Sequence, residues 1–289
     1  MVQLVENFWN IRSGFKVFGL LNIGTHMSVI RLSTGRFLVI DAVPLDDDLK
    51  REFDELTNGG ELVDAVLATH PFHSLALPGF HQAYPRLRFI GCPRHLRNLP
   101  EIPWAGEIRE HLTDWAPEVQ MRIPAGAEFV APLPELSNHF ACVFVCHQPS
   151  RMVHVDDTVN LYTKDVGLLL RLVGVKQGEF GFHPSIKGPG LFSTPEAPTQ
   201  FSEWFQSLLN DWDVDAICCA HRDVMVGGAR PLLQKALDDI QPLLRKISAR
   251  NLRHHGPGAS GSDPDPDPEL DQASVTECAK MNVHGNECG

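Results

Sequence analysis

The sequence predicts an α/β fold in which two packed mixed sheets carry helices on their outer faces. Short apolar runs typical of strands alternate along the chain with segments whose apolar residues recur at helical spacing. The strand-rich segments form two blocks, each followed by helices, which is less regular than a doubly wound parallel sheet. With 289 residues, 43% of them hydrophobic, the chain is long enough to bury the core of such a sandwich.

The first block occupies roughly the first hundred residues. Apolar runs predict strands at Phe15–Leu20, Ser28–Arg31, Arg36–Asp41, Ala65–Thr69 and Arg88–Gly91. Helical spacing, with an acidic first turn or an early proline, predicts helices at Asp46–Leu56, Leu77–Ala83 and Pro93–Leu99.

The second block extends to about residue 250 and is followed by a tail of different composition. Strands are predicted at Glu128–Pro132, His139–His147, Met152–Asp156 and Asp215–Ala220, and helices at Thr163–Val175, Gln200–Asp211 and Pro231–Ile247. Beyond residue 250 the chain has few large apolar residues, and Asp alternates with Pro from Asp263 to Pro268. We therefore expect one domain over residues 1–250 and a disordered acidic Pro/Gly-rich tail over residues 251–289.

Charge and composition exclude several classes of partner. The net charge is -11 and no basic stripe is present, which argues against binding to nucleic acid. The N-terminus lacks the pattern of a secretory signal, and no apolar run is long enough to span a membrane. The seven cysteines are an odd number, and several lie in apolar runs, as reduced thiols do. We expect a cytoplasmic protein with a small-molecule substrate; its oligomeric state stays open.

Metal-ligand residue types stand at the ends of four predicted strands. Because strand ends at one edge of a sheet converge in space, these side chains are expected to lie together. Histidine with carboxylate is the ligand set that suits zinc or iron, and an open hydrolytic site needs about three protein ligands. The sequence thus predicts a Zn²⁺ or Fe²⁺ site with ligands drawn from His70, His73, His147, Asp156, Asp157 and His221.

The order of these motifs resembles the metallo-β-lactamase superfamily. The matching segments are Thr69–His73, Asp156–Thr158 and Ala220–His221, each after a predicted strand, and the similarity spans about residues 14–249. The resemblance implies an αββα sandwich that holds one or two metals between its sheet edges and hydrolyses esters, thioesters, amides or phosphodiesters. It is greatest to an uncharacterised branch with the elements Tyr84–Pro85, Pro149–Arg151 and Ala220–Asp223.

The first metal motif departs from that of the superfamily. The superfamily has His-x-His-x-Asp-His, whereas this chain has His70-Pro-Phe-His73-Ser-Leu75. Phe72 replaces the second histidine unless a shift of one residue recruits His73, and Ser74 and Leu75 replace the Asp–His pair that mainly serves the second metal. The resemblance therefore implies a mononuclear site.

Two questions remain open at this point. Asp156 and Asp157 are interchangeable as the ligand; we assign Asp157 to the metal, and Asp156 as the catalytic residue, either a general base or a partner that orients a histidine ligand. The two functions considered are a metal-dependent hydrolase and a member of the superfamily that has lost catalysis and acts as a binding or regulatory protein.

Overall fold

A computed structural model shows two large sheets packed face to face, with helices on the outer faces, as the sequence predicts. The αββα sandwich is therefore confirmed. The structure describes residues 1–14, 16–17, 21–22, 24–131, 135, 138–161, 180–220 and 223–255.

The first sheet has seven strands, and its central part is parallel. In chain order the first nine strands are β1 (Val2–Val5), β2 (Phe8–Ser13), β3 (Lys16–Val17), β4 (Leu21–Asn22), β5 (Thr25–Arg31), β6 (Phe37–Ile40), β7 (Val63–Ala68), β8 (Phe89–Gly91) and β9 (Trp104–Glu107). The spatial order is β1-β2-β5-β6-β7-β8-β9, and β3 pairs with β4 apart from it. Strands β6 to β9 are parallel to one another, whereas β5 is antiparallel to β6.

Helices α1 (Asp47–Thr57), α2 (Leu77–Ala83) and α3 (Pro93–Asn98) connect the parallel strands. Helix α1 begins where the side chain of Asp46 accepts a hydrogen bond of 2.8 Å from the backbone N–H of Leu49. Side chains alternate along β6, so that Phe37 packs in the cluster beneath α1 and α2 while Leu38 packs in the cluster between the sheets.

The second sheet has five strands and carries the two longest helices. The later strands are β10 (Val119–Arg122), β11 (Phe144–His147), β12 (Met152–Val155), β13 (Val159–Leu161), β14 (Phe180–Phe182), β15 (Ala216–Cys219) and β16 (Val224–Met225). Their order in the sheet is β10-β11-β12-β15-β16, with β12 and β15 parallel and the other pairs antiparallel; β13 and β14 form a separate ribbon. Helices α4 (Ala197–Asp211) and α5 (Ala229–His255) pack against each other. Short 3-10 helices cover Ile108–His111 and Pro184–Lys187.

Three predicted elements differ from the structure, and others fall wholly or partly outside the described residues. Residues 128–131 form no strand, and the strand predicted from His139 begins only at Phe144. The last helix continues to His255, beyond the predicted boundary at residue 250, and the side chain of Asn251 is buried and donates to the carbonyl of Thr194 at 3.0 Å. The helix predicted at 163–175 and the tail from residue 256 lie outside the described residues, as does the strand predicted at Phe15–Leu20 apart from Lys16 and Val17.

No helix in the described part of the chain is long and apolar enough to cross a membrane.

Candidate metal centre

Three strands of the two sheets end at one edge of the sandwich. Asp41 follows β6, Thr69 follows β7, and Asp156 follows β12. The Thr69 hydroxyl lies 3.1 Å from Asp41 Oδ1 and 2.8 Å from Asp156 Oδ2, so it connects the two carboxylates across the interface between the sheets. Carboxyl ends of parallel strands meet at one edge, which is where α/β proteins place their ligands.

Asp41 is held in an unusual backbone conformation at this edge. Its φ is 58°, in the left-handed region, and the backbone N–H of Thr69 donates to its Oδ1 at 2.8 Å. Burial and the neighbouring charge of Asp156 raise the pKa of Asp41, but hydrogen bonds from His154 and His73 outweigh them and leave that pKa below its usual value. Asp41 is therefore an anion that fixes its neighbours.

His70, His73 and Asp157 form the outer cluster of this edge. His70 Nε2 lies 3.4 Å from Asp157 Oδ2, and His73 Nε2 lies 3.8 Å from Asp157 Oδ1. One ligand atom from each of the three residues lies within 4.8 Å of the others. Two ligands at about 2.0–2.2 Å from a tetrahedral zinc ion are roughly 3.3–3.6 Å apart. The donor types and their spacing therefore fit a metal ion.

The orientation of His73 gives independent support for this fit. Its Nδ1 lies 3.1 Å from Asp41 Oδ2 and 3.3 Å from Asp156 Oδ1, which leaves Nε2 on the side of Asp157. A carboxylate on the far nitrogen is the usual partner of a metal-ligating histidine. Burial lowers the pKa of His73, but the charge and hydrogen bond of Asp156 raise it well above its usual value; a cation at Nε2 would take the place of the proton.

The two neighbouring aspartates have different surroundings. Asp156 is fully buried, with Oδ1 at 3.2 Å from His26 Nε2 and Oδ2 bonded to Thr69. Burial raises the pKa of Asp156, but the surrounding histidines, His73 first, bring it well below its usual value. Both carboxylate oxygens thus contact protein side chains, which suits the role of a partner that orients His73 better than that of a general base.

His139 lies beside the outer cluster although the sequence analysis did not select it. Its Nδ1 is 3.9 Å from Asp157 Oδ2, and its ring stacks on Phe72 with centroids 3.9 Å apart. Its Nε2 is buried and has no hydrogen-bond partner within the described residues. Burial, partly opposed by the charge of Asp157, lowers the pKa of His139 to about 3, so its ring is neutral, as a metal ligand must be.

The structure places His147 apart from these residues. Strand β11 is antiparallel to β12, and His147 pairs with Met152, four residues before Asp156 and roughly 13 Å away by strand rise. There its Nδ1 lies 2.7 Å from the Ser150 hydroxyl. His221, the remaining predicted ligand, lies outside the described residues.

Strand direction explains the positions of His147 and His139. The predicted ligands stand at the ends of strands, but an antiparallel strand brings its start to the edge where its neighbours end. His139 precedes β11, and His26 lies at the start of β5, which is antiparallel to β6. The start of an antiparallel strand is the signal that was available and not used.

His26, His154 and Cys218 form an inner cluster, directly behind Asp156. The two imidazoles stack with centroids 4.1 Å apart and an interplanar angle of 19°. The Ser28 hydroxyl lies 2.9 Å from His154 Nδ1 and 3.6 Å from Cys218 Sγ. Burial raises the pKa of Cys218, but contacts with His154 and His26 lower it to about 6. Burial raises the pKa of the other buried thiols, Cys92, Cys142, Cys146 and Cys219.

No family model matches the chain, and no curated protein matches it by sequence. Solved structures do match. VMB-1, in crystals at pH 5.5, has a TM-score of 0.53 at 14% identity over 82% of this chain and 94% of its own. A metallo-β-lactamase from Erythrobacter litoralis, with β-mercaptoethanol in its active site, has a TM-score of 0.51 at 13% identity over 85% and 95%. The DIM-1 metallo-β-lactamase, exposed to ceftazidime, has a TM-score of 0.50 at 13% identity over 86% and 95%.

Similarity at this level of identity establishes architecture and leaves the reaction to be argued from the site. The two packed sheets have helices on their outer faces. The carboxylate after β6 and the histidines after β7 lie at the same edge of this sandwich. The chain therefore has the metallo-β-lactamase fold.

Proposed function

We propose that the chain is a metal-dependent hydrolase that holds one Zn²⁺ or Fe²⁺ ion on His70, His73 and Asp157. The observation that carries this proposal is the convergence of two imidazole nitrogens and a carboxylate, from both sheets, at separations of 3.4 and 3.8 Å. The substrate class is an ester, thioester, amide or phosphodiester of a small molecule. A net charge of -11 disfavours highly anionic polymers.

A divalent ion at this position supplies a Lewis acid and lowers the pKa of water toward ~7. The other residues of the site hold the metal-ligating side chains in place. Asp41 and Asp156 keep the proton of His73 on Nδ1 and so direct Nε2 outward. Thr69 donates its backbone N–H to Asp41 and its hydroxyl to Asp156, and neutral His139 contributes a further nitrogen beside Asp157.

A single ion is favoured by the residues that follow His73. Ser74 and Leu75 stand where the superfamily motif has its Asp–His pair, and the side chain of Leu75 is 78% exposed. The aliphatic side chain of Leu75 has no ligand atom, so the motif lacks the histidine that would serve a second metal.

One observation favours the second candidate function, a binding or regulatory protein without catalysis. Phe72 is sandwiched between His139, at 3.9 Å, and the guanidinium of Arg94, whose Cζ is 4.6 Å from the ring centroid. An aromatic side chain thus occupies the position of the second histidine and covers one side of His139.

Metal content and hydrolysis together test the proposal. The full chain, purified without chelator, is compared with His70→Ala and with the matched control His147→Gln by elemental mass spectrometry, and each is screened against ester, thioester, amide and phosphodiester substrates. We expect His70→Ala to lose one equivalent of metal and all hydrolysis, and His147→Gln to keep both. Metal without hydrolysis would support the binding protein, and equal metal in all three proteins would contradict the outer site.

A further inference from the structure

We propose that the inner cluster is a second metal site, buried between the sheets, in which His26, His154 and Cys218 bind a zinc ion. This site is separate from the outer cluster in ligand type, in burial and in position, and it does not depend on the proposed hydrolysis.

The three side chains come from three strands and from both sheets. His26 lies on β5 in the first sheet, and His154 and Cys218 lie on the parallel strands β12 and β15 of the second. All three residues are 0% exposed, and one ligand atom from each lies within 4.8 Å of the others. A site at this place would join the two sheets across the core.

The imidazoles are oriented as metal-ligating histidines are. Nε2 of His26 and Nε2 of His154 lie 3.2 and 3.4 Å from the same oxygen, Asp156 Oδ1. A carboxylate at one nitrogen fixes the ring and leaves the other nitrogen as the ligand. Both Nδ1 atoms lie on the side of Ser28, because Ser28 Oγ is 2.9 Å from His154 Nδ1 and the Asn10 amide contacts both Ser28 Oγ and His26 Nδ1. The Ser28 hydroxyl also contacts Cys218 Sγ there.

The hydrogen bonds on that side of the cluster are shared or long. The Asn10 amide contacts Ser28 Oγ at 3.0 Å, Met27 O at 3.2 Å and His26 Nδ1 at 3.3 Å, so its contact with the ring nitrogen is the longest of the three. The Ser28 hydroxyl has one hydrogen and lies near both His154 Nδ1 and Cys218 Sγ, and the Cys218 thiol donates to the carbonyl of Val153 at 3.5 Å. A cation at this position would bind the two ring nitrogens and the sulfur more strongly than these contacts do.

Ligand chemistry and charge favour zinc. Imidazole and thiolate are both zinc ligands, and a thiolate selects against magnesium and calcium. The thiolate and the Asp156 carboxylate together balance a divalent ion. Binding releases the thiol proton to solvent and changes no oxidation state.

Cobalt substitution tests the site by a signal that only sulfur ligation produces. The full chain is produced in zinc-depleted medium with Co²⁺, so that the ion enters during folding, and cobalt content and near-ultraviolet absorption are measured. We expect two equivalents and a thiolate-to-cobalt charge-transfer band. Cys218→Ser should have one equivalent and no band, whereas Cys219→Ser, the adjacent buried thiol on the opposite strand face, should keep both.

The variant His70→Ala separates this proposal from the proposed function. It should lose the outer ion and retain the charge-transfer band in full. If Cys218→Ser fails to fold, judged by circular dichroism, His26→Gln replaces it and should also lose the band. No band in the wild-type chain, or a band that survives Cys218→Ser, would show that the inner cluster is held by hydrogen bonds alone and would overturn the proposal.

Discussion

The outer and inner clusters each contain two histidines, but they differ in the third side chain and in their place in the fold. His70, His73 and Asp157 follow strands and lie at the sandwich edge, where the side chain of His73 is 11% exposed. His26 and Cys218 lie within strands and are completely buried. Residues after a strand can leave a coordination position open to a substrate, whereas residues within strands of two packed sheets are closed to solvent.

Asp156 is the link between the two clusters. Its Oδ1 lies 3.3 Å from His73 Nδ1 on the outer side and 3.2 Å from His26 Nε2 on the inner side. From the sequence alone, Asp156 and Asp157 are interchangeable as the metal ligand. Their contacts distinguish them, because Asp157 contacts the outer nitrogens and Asp156 supports both sets of rings.

Removing the charge of Asp156 should have the largest effect, since it breaks both clusters. Asp156→Asn leaves buried imidazoles without their carboxylate, and we expect the metal-free chain to lose about 3–5 kcal/mol of unfolding free energy. Both metal equivalents should fall as well. Urea unfolding and elemental analysis measure the two effects, and a loss of outer metal alone would show that Asp156 does not support the inner cluster.

Removing Asp157 should affect the outer cluster alone. Asp157→Ala deletes the carboxylate between His70 and His73, and we expect the outer metal affinity to fall by more than about 100-fold, beyond the loss that follows removal of an indirect partner. Competition with a chelator measures this affinity. Asp211→Ala, an exposed carboxylate on α4, is the control and should leave the affinity unchanged.

The pH dependence of stability should differ between the metal-free chain and the metal-loaded chain. In the metal-free chain the pKa values of His73 and His154 are raised well above 6.5, so their contribution to stability is full below pH 6.5 and is lost as the pH rises through the raised values. Metal replaces protons on these rings, so the loaded chain should instead lose stability as the pH falls. The stabilisation by metal, which is the difference between thermal unfolding without and with chelator, should therefore grow from pH 5 to pH 8; a difference that stays constant would contradict metal binding to these rings.

His147→Gln should have the smallest effect and no effect on metal. His147 is buried and Nδ1-bonded to Ser150 at the opposite end of β11, so its replacement costs about 1 kcal/mol for the lost hydrogen bond. Chemical unfolding measures this cost. A fall in metal content would restore His147 as a ligand and contradict the strand direction described above.

The fold was largely predictable because strands and helices differ in the spacing of their apolar residues. Helix α2 has the predicted bounds, Leu77–Ala83, and the parallel strands β6, β7 and β8 lie within one or two residues of their predicted positions. The first two strands were not predicted, since Val2–Val5 and Phe8–Ser13 mix polar residues into their apolar ones. Residues 128–131 show that an apolar run without a pairing partner does not become a strand.

The sequence by itself determined which residue types follow the parallel strands, and so it gave His70, His73 and the pair Asp156 and Asp157 as candidates, together with the loss of the Asp–His pair at Ser74 and Leu75. Only the tertiary structure decided which of the two aspartates and which other histidines lie beside His70 and His73. Strand direction depends on pairing between distant segments, and the same run of apolar residues fits a strand of either direction. For that reason His139, which precedes an antiparallel strand, and His26, at the start of another, lie at this edge, and His147, at the end of one, does not.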